Sequence, residues 1–130
     1  MKTRDERISK EISIAIVDDR LGTRDLLKKL IYSNLLAKVS LFSSGDDLLR
    51  EISRGTKFNL YIVDYQLDYG HHAYWGDEVA INILKLHINA IVIGMSSKKD
   101  HFRNPEVHFI LKGTVTEKLI PLVKKLLQVR

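Results

Sequence analysis

Residues 12–19 read Ile12-Ser13-Ile14-Ala15-Ile16-Val17-Asp18-Asp19. A short run this continuously apolar, rich in β-branched residues, suits a strand covered on both faces, as in a parallel sheet. The run stops at two carboxylates. Working outward, three more runs have the same build: Leu60-Tyr61-Ile62-Val63 ahead of Asp64, Ala90-Ile91-Val92-Ile93 ahead of Ser96-Ser97, and Val107-His108-Phe109-Ile110-Leu111 ahead of Lys112. A weaker run, Ala37–Phe42, alternates apolar and polar residues and predicts an edge strand.

Helical stripes lie between these runs. The first is Leu26, Leu27, Leu30 and Ile31. The second, Leu48, Leu49 and Ile52, opens at the capping stretch Ser43-Ser44-Gly45-Asp46 and stops at Gly55. The third is Val79, Ala80, Ile83 and Leu84, and the fourth is Leu119, Leu122, Val123, Leu126 and Leu127. In the fourth, Thr116 is a candidate cap, and Pro121 removes a backbone donor and predicts a kink. Strands and helices therefore alternate, which argues for an α/β domain on a parallel sheet. Right-handed crossovers then place helices on both faces, a doubly wound arrangement.

Composition limits the options. The 130 residues suit one domain, and 45% apolar with 28% charged is enough to build a core without staples. The domain is expected over residues 11–130, with residues 1–10 as an arm. No cysteine is present, which removes disulfide and thiolate chemistry and fits a reducing compartment. The polar, charged start carries no secretory pattern, and no apolar run approaches the roughly 20 residues that a bilayer span needs. A cytoplasmic location without membrane insertion is the expectation. The net charge of +5 is spread along helices and tails without a basic run, so nucleic acid is not an expected partner.

The strand ends carry the chemistry. In open parallel sheets, ligands bind beyond the carboxyl ends of the strands. Asp18, Asp19, Asp64, Ser96, Ser97 and Lys112 should therefore meet at one edge. Singly, such residues are ordinary: an Asp after a strand forms turns, and a Lys after a strand is solvated. Jointly they are not, because four strand ends each bring a polar group to one place. Clustered carboxylates repel, and a hard divalent cation such as Mg²⁺ is the simplest offset. A metal, a lysine and a small hydroxyl around one carboxylate suit a phosphoryl group.

At this point the sequence resembles the response-regulator receiver family of two-component signalling, over most of its length. The matching segments are Ile16-Val17-Asp18-Asp19, Tyr61-Ile62-Val63-Asp64, Gly94-Met95-Ser96-Ser97 and Phe109-Ile110-Leu111-Lys112, with Arg24 and Leu27 in the first helix. The resemblance implies a flavodoxin-like, five-stranded sheet of order 2-1-3-4-5. It implies Asp64 as phosphoacceptor, Asp19 as a direct Mg²⁺ ligand, Asp18 acting largely through water, and the Gln66 backbone carbonyl as a further ligand. It implies that Lys112 pairs with phosphoryl oxygens, and that Ser96 moves inward to hydrogen-bond the group, followed by Phe109. The implied donor is a histidine kinase or a phosphotransfer protein, as in a phosphorelay. Gln66 and Lys98 stand where the family tunes hydrolysis.

Three departures stand out. Gly113 follows Lys112 where the family has proline. The stretch from Asp64 to Gly76 is long and carries Asp68, Tyr69, His71, His72, Tyr74 and Trp75, which read as contact or packing residues. Only residues 98–106, with Pro105, separate Ser97 from the fifth strand, so the family's fourth helix should be shortened. A free-standing receiver of this size should signal by contact with an unknown downstream protein, and a homodimer is compatible with that. The alternatives are a pseudo-receiver that binds protein without phosphorylation, and a small-molecule phosphatase of the haloacid dehalogenase class. The latter class carries a second Asp where this sequence has Gln66.

Overall fold

The computed structural model describes residues 12–67 and 75–128. The chain runs β1 (Ile12–Val17), α1 (Leu21–Tyr32), β2 (Ala37–Phe42), α2 (Gly45–Ser53), β3 (Leu60–Asp64), α3 (Gly76–Leu86), β4 (Val92–Ser96), β5 (His108–Leu111) and α4 (Val115–Leu127). Two single 3₁₀ turns complete it, Lys99–His101 before β5 and Lys112–Thr114 after it. All strand pairs are parallel, and the sheet order is β2-β1-β3-β4-β5. No helix among the described residues is long and apolar enough to cross a membrane.

Successive strand side chains point to opposite faces, so each central strand feeds two cores. Ile14, Ile16, Ile62, Ile93 and Met95 pack under α1 and α4, against Leu27, Ile31, Leu119 and Val123. Ala15, Val17, Tyr61, Val63 and Val92 pack under α2 and α3, against Leu48, Ile52, Val79, Ala80 and Ile83. This two-sided burial is why the runs read as continuously apolar rather than alternating.

Local signals place several boundaries. The Ser44 hydroxyl accepts from the Asp47 N–H at 3.1 Å and caps α2. Gly55 ends that helix at φ +103°, a conformation other residues resist.

Several expectations need correction. Leu26 is 49% exposed, so the buried stripe of α1 is Leu27 and Ile31, flanked by Leu30. Thr116 lies inside the first turn of α4, which starts after Thr114; the Thr114 hydroxyl donates back to the Leu111 carbonyl instead. Pro121 sits within α4 without ending it, and Ile120 joins the buried face. β4 starts at Val92, not Ala90, and extends to Ser96. Gly94 interrupts the apolar pattern there because the Phe102 ring fills the space of its missing side chain; a Cβ would come within 2.6 Å of that ring. Gly113 lies in the 3₁₀ turn with open space around it, so nothing there demands glycine.

The connection between β4 and β5 holds only the turn Lys99–His101, so the shortened fourth helix is reduced to a single 3₁₀ turn. The segment is tied down from α3. Asp77, 4% exposed, accepts from the Arg103 backbone N–H at 3.0 Å and from its Nε at 2.7 Å. The arm at residues 1–10, and Asp68, Tyr69, His71, His72 and Tyr74, lie outside the described residues.

Candidate functional site

The carboxyl ends of β1, β3 and β5 converge on one acidic cleft. Asp18 and Asp19 follow β1, Asp64 is the last residue of β3, and Lys112 follows β5. Carboxylate oxygens of Asp18, Asp19 and Asp64 lie within 4.8 Å of one another. Asp64 Oδ1 meets the Lys112 ammonium at 2.7 Å as an ion pair. Asp18 Oδ1 accepts from the Arg20 N–H at 2.9 Å, and the Arg24 guanidinium holds the Asp18 carbonyl at 2.7 Å. Asp64 Oδ2, Asp18 Oδ2 and both Asp19 oxygens are buried and have no hydrogen-bond partner among the described residues.

No protein-family model matches the sequence. No curated protein matches it either. Solved structures do. The BeF3-activated DrrB receiver domain is 22% identical with a TM-score of 0.77, covering 92% of this chain and 99% of that one. The response regulator TrrA from Thermotoga maritima, in complex with Mg(2+)-BeF, is 24% identical with a TM-score of 0.75, covering 88% and 98%. A CheY-like receiver domain protein from Methanospirillum hungatei is 21% identical with a TM-score of 0.78, covering 92% and 95%. This chain has the response-regulator receiver fold.

Within the receiver fold, burial sets the electrostatics of the cleft. Desolvation pushes the Asp18 carboxyl up from 3.8 to about 6, against the opposing pull of the Arg20 N–H. The same cause raises Asp64, with Lys112 pulling the other way and Asp19 adding repulsion. These carboxylates are held in a place that disfavours their charge, beside the Lys112 ammonium. A hard cation fits that donor set: oxygen-only, negatively charged, and short of partners.

The remaining sequence-predicted residues are placed as follows. Ser96 ends β4 and is 2% exposed, but its hydroxyl is hydrogen-bonded to His101 Nδ1 and receives the Lys98 N–H at 3.2 Å. It makes no bond to Asp64 or Lys112. Phe109, half-buried, sits on β5 opposite Gly94. Gln66 and Lys98 are exposed.

His101, Tyr65 and Gly76 escaped sequence reading, and Trp75 was read there only as a contact or packing residue. His101 reaches Ser96 from the 3₁₀ turn. Tyr65 lies flat on the His101 ring at 4.0 Å and 15°, and Trp75 stacks on Tyr65 at 5.3 Å and 25°. Gly76 opens α3 against the β3 backbone, and its N–H donates to the Tyr65 carbonyl at 2.7 Å. A Cβ on Gly76 would collide with the Asp64 carbonyl oxygen. Gly76 thus lets the start of α3 approach the backbone of Asp64 and Tyr65. Spacing and periodicity carry no signal for any of these contacts.

Proposed function

We propose that this chain is a phosphoacceptor receiver of a two-component pathway, with Asp64 as the acceptor. An Asp64 carboxylate oxygen attacks the phosphorus of a phosphohistidine on a histidine kinase or phosphotransfer protein. The new O–P bond forms as the P–N bond breaks, and the electron pair leaves on the imidazole nitrogen, which is then protonated. Asp18, Asp19, Asp64 and the Gln66 carbonyl are the residues that would hold Mg²⁺, which when bound offsets the charge on carboxylates and phosphoryl oxygens. Lys112 pairs with a phosphoryl oxygen, Ser96 hydrogen-bonds another, and Phe109 follows Ser96. Output is by protein contact, through a shift in population toward the phosphorylated conformation.

One observation carries this reading: buried carboxylate oxygens without partners, gathered around Asp64 and its lysine. Unsatisfied buried polar atoms are costly and call for a missing ion or ligand. The reduction of the β4–β5 connection to one 3₁₀ turn favours a second reading, a protein-binding module that never takes phosphate. Acetyl phosphate with Mg²⁺ separates the two. The expected result is one added phosphoryl mass on the intact protein, none without Mg²⁺, and none on Asp64→Asn. A wild-type chain that stays unmodified refutes the phosphoacceptor assignment and leaves the binding module.

A further inference from the structure

The β4–β5 connection is short, yet it is fastened at three points around the end of β4. Phe102, buried, covers Gly94. Arg103 is clamped by Asp77. Between β4 and these anchors, the 3₁₀ turn presents His101, whose Nδ1 hydrogen-bonds the Ser96 hydroxyl. The His101 ring is also held flat against Tyr65, the residue that directly follows Asp64. His101 therefore touches both the serine and the strand end of the proposed phosphorylation site.

We propose that His101 is a positioning residue that holds Ser96 away from Asp64, and that a phosphoryl group on Asp64 must take the Ser96 hydroxyl from it. This rests on the phosphoacceptor reading above. A serine hydroxyl has one proton to donate and two lone pairs. One lone pair already receives the Lys98 N–H. With the His101 proton on Nε2, the Ser96 Oγ–H donates to Nδ1, and that one proton cannot at the same time be given to a group on Asp64. No hydrogen bond joins Ser96 to Asp64 here, and Asp64 Oδ2 has no partner among the described residues. The two positions of the hydroxyl thus exclude each other. Ser96 binds either the imidazole or the phosphoryl group.

Transfer of the hydroxyl has a second consequence. His101 loses its polar anchor while it remains one slice of the Trp75–Tyr65–His101 stack. The state of Ser96 is thereby passed to a half-exposed aromatic patch beside the cleft, with Trp75 40% exposed at its outer end. Trp75 is the one tryptophan in the sequence, so its emission reports on that stack directly.

His101→Phe keeps a flat ring for Tyr65 and removes the nitrogen that holds Ser96. The probe is beryllofluoride with Mg²⁺, titrated by Trp75 emission, with acetyl phosphate uptake followed by intact mass. Removing one neutral hydrogen bond from the unliganded state is expected to tighten apparent beryllofluoride binding about 3- to 10-fold. In a Ser96→Ala background the same substitution should change nothing, because the bond it removes is already gone. A second measurement needs no His101 variant: the Trp75 emission change on binding should be present in the wild type and absent in Ser96→Ala.

The inference is overturned if His101→Phe binds as the wild type does. It is equally overturned if the gain persists in Ser96→Ala, or if Ser96→Ala keeps the full Trp75 response. A wild-type protein that takes neither beryllofluoride nor acetyl phosphate removes the phosphoacceptor reading itself, and this inference with it. Binding by the wild type with no effect of His101 removes this inference alone.

Discussion

Replacing Asp18 by asparagine should stabilise the metal-free protein, although it deletes a residue of the cleft. Asp18 is 1% exposed, and its carboxyl titrates at about 6 instead of 3.8. Each unit of displacement corresponds to about 1.4 kcal/mol, so ionising Asp18 in the folded chain costs on the order of 3 kcal/mol. The sign follows from which state holds the proton. Between pH 4 and 6 the folded chain keeps a proton that the unfolded chain has released, so stability falls as pH rises through that window. Above about 6 the cost is fully present. An asparagine side chain at this position would carry no charge, and its amide oxygen can still accept the Arg20 N–H. Urea unfolding in EDTA at pH 7.5 should therefore show Asp18→Asn more stable by about 1–3 kcal/mol. At pH 4 the difference should shrink toward zero. With saturating Mg²⁺ the order should reverse, because the wild type gains binding energy that the variant largely lacks. An Asp18→Asn protein no more stable than wild type at pH 7.5 would refute the reasoning. So would an advantage of equal size at pH 4, which would point to packing rather than ionisation.

Other substitutions probe the frame around the cleft. Gly76→Ala forces a Cβ into the Asp64 and Tyr65 backbone; it should cost more than about 2 kcal/mol in denaturant unfolding and slow acetyl phosphate uptake as well. Ser44→Ala removes the α2 cap; a loss of about 1 kcal/mol is expected, with phosphoryl uptake unchanged. Asp77→Ala leaves the Arg103 backbone N–H without its acceptor. It should cost about 1–3 kcal/mol and raise amide exchange selectively over residues 98–106.

Much of this protein could be read from its sequence because the relevant signals are local or directional. Strand identity follows from short, nearly continuous apolar runs and helix identity from a period of 3.6 residues, both of which a short window contains. Asp18, Asp19, Asp64 and Lys112 could be grouped without coordinates, because parallel strands all point the same way and each group sits at a strand's carboxyl end. Where local reading slipped, the pattern did not carry the deciding fact: Leu26 lies on a helix face left to solvent, and Gly94 breaks the β4 run because the Phe102 ring occupies that space.

The tertiary structure alone decided the rest. It turned the Ser96 hydroxyl toward His101, laid Tyr65 between His101 and Trp75, and tied Arg103 to Asp77 across 26 residues. It also decided how strongly Asp18 and Asp64 resist ionisation, since desolvation depends on what the whole fold packs over a carboxylate. Such contacts depend on where irregular segments return in space. An irregular segment has no repeat to reveal its path, so the chemistry it brings to the cleft shows only once the chain is folded.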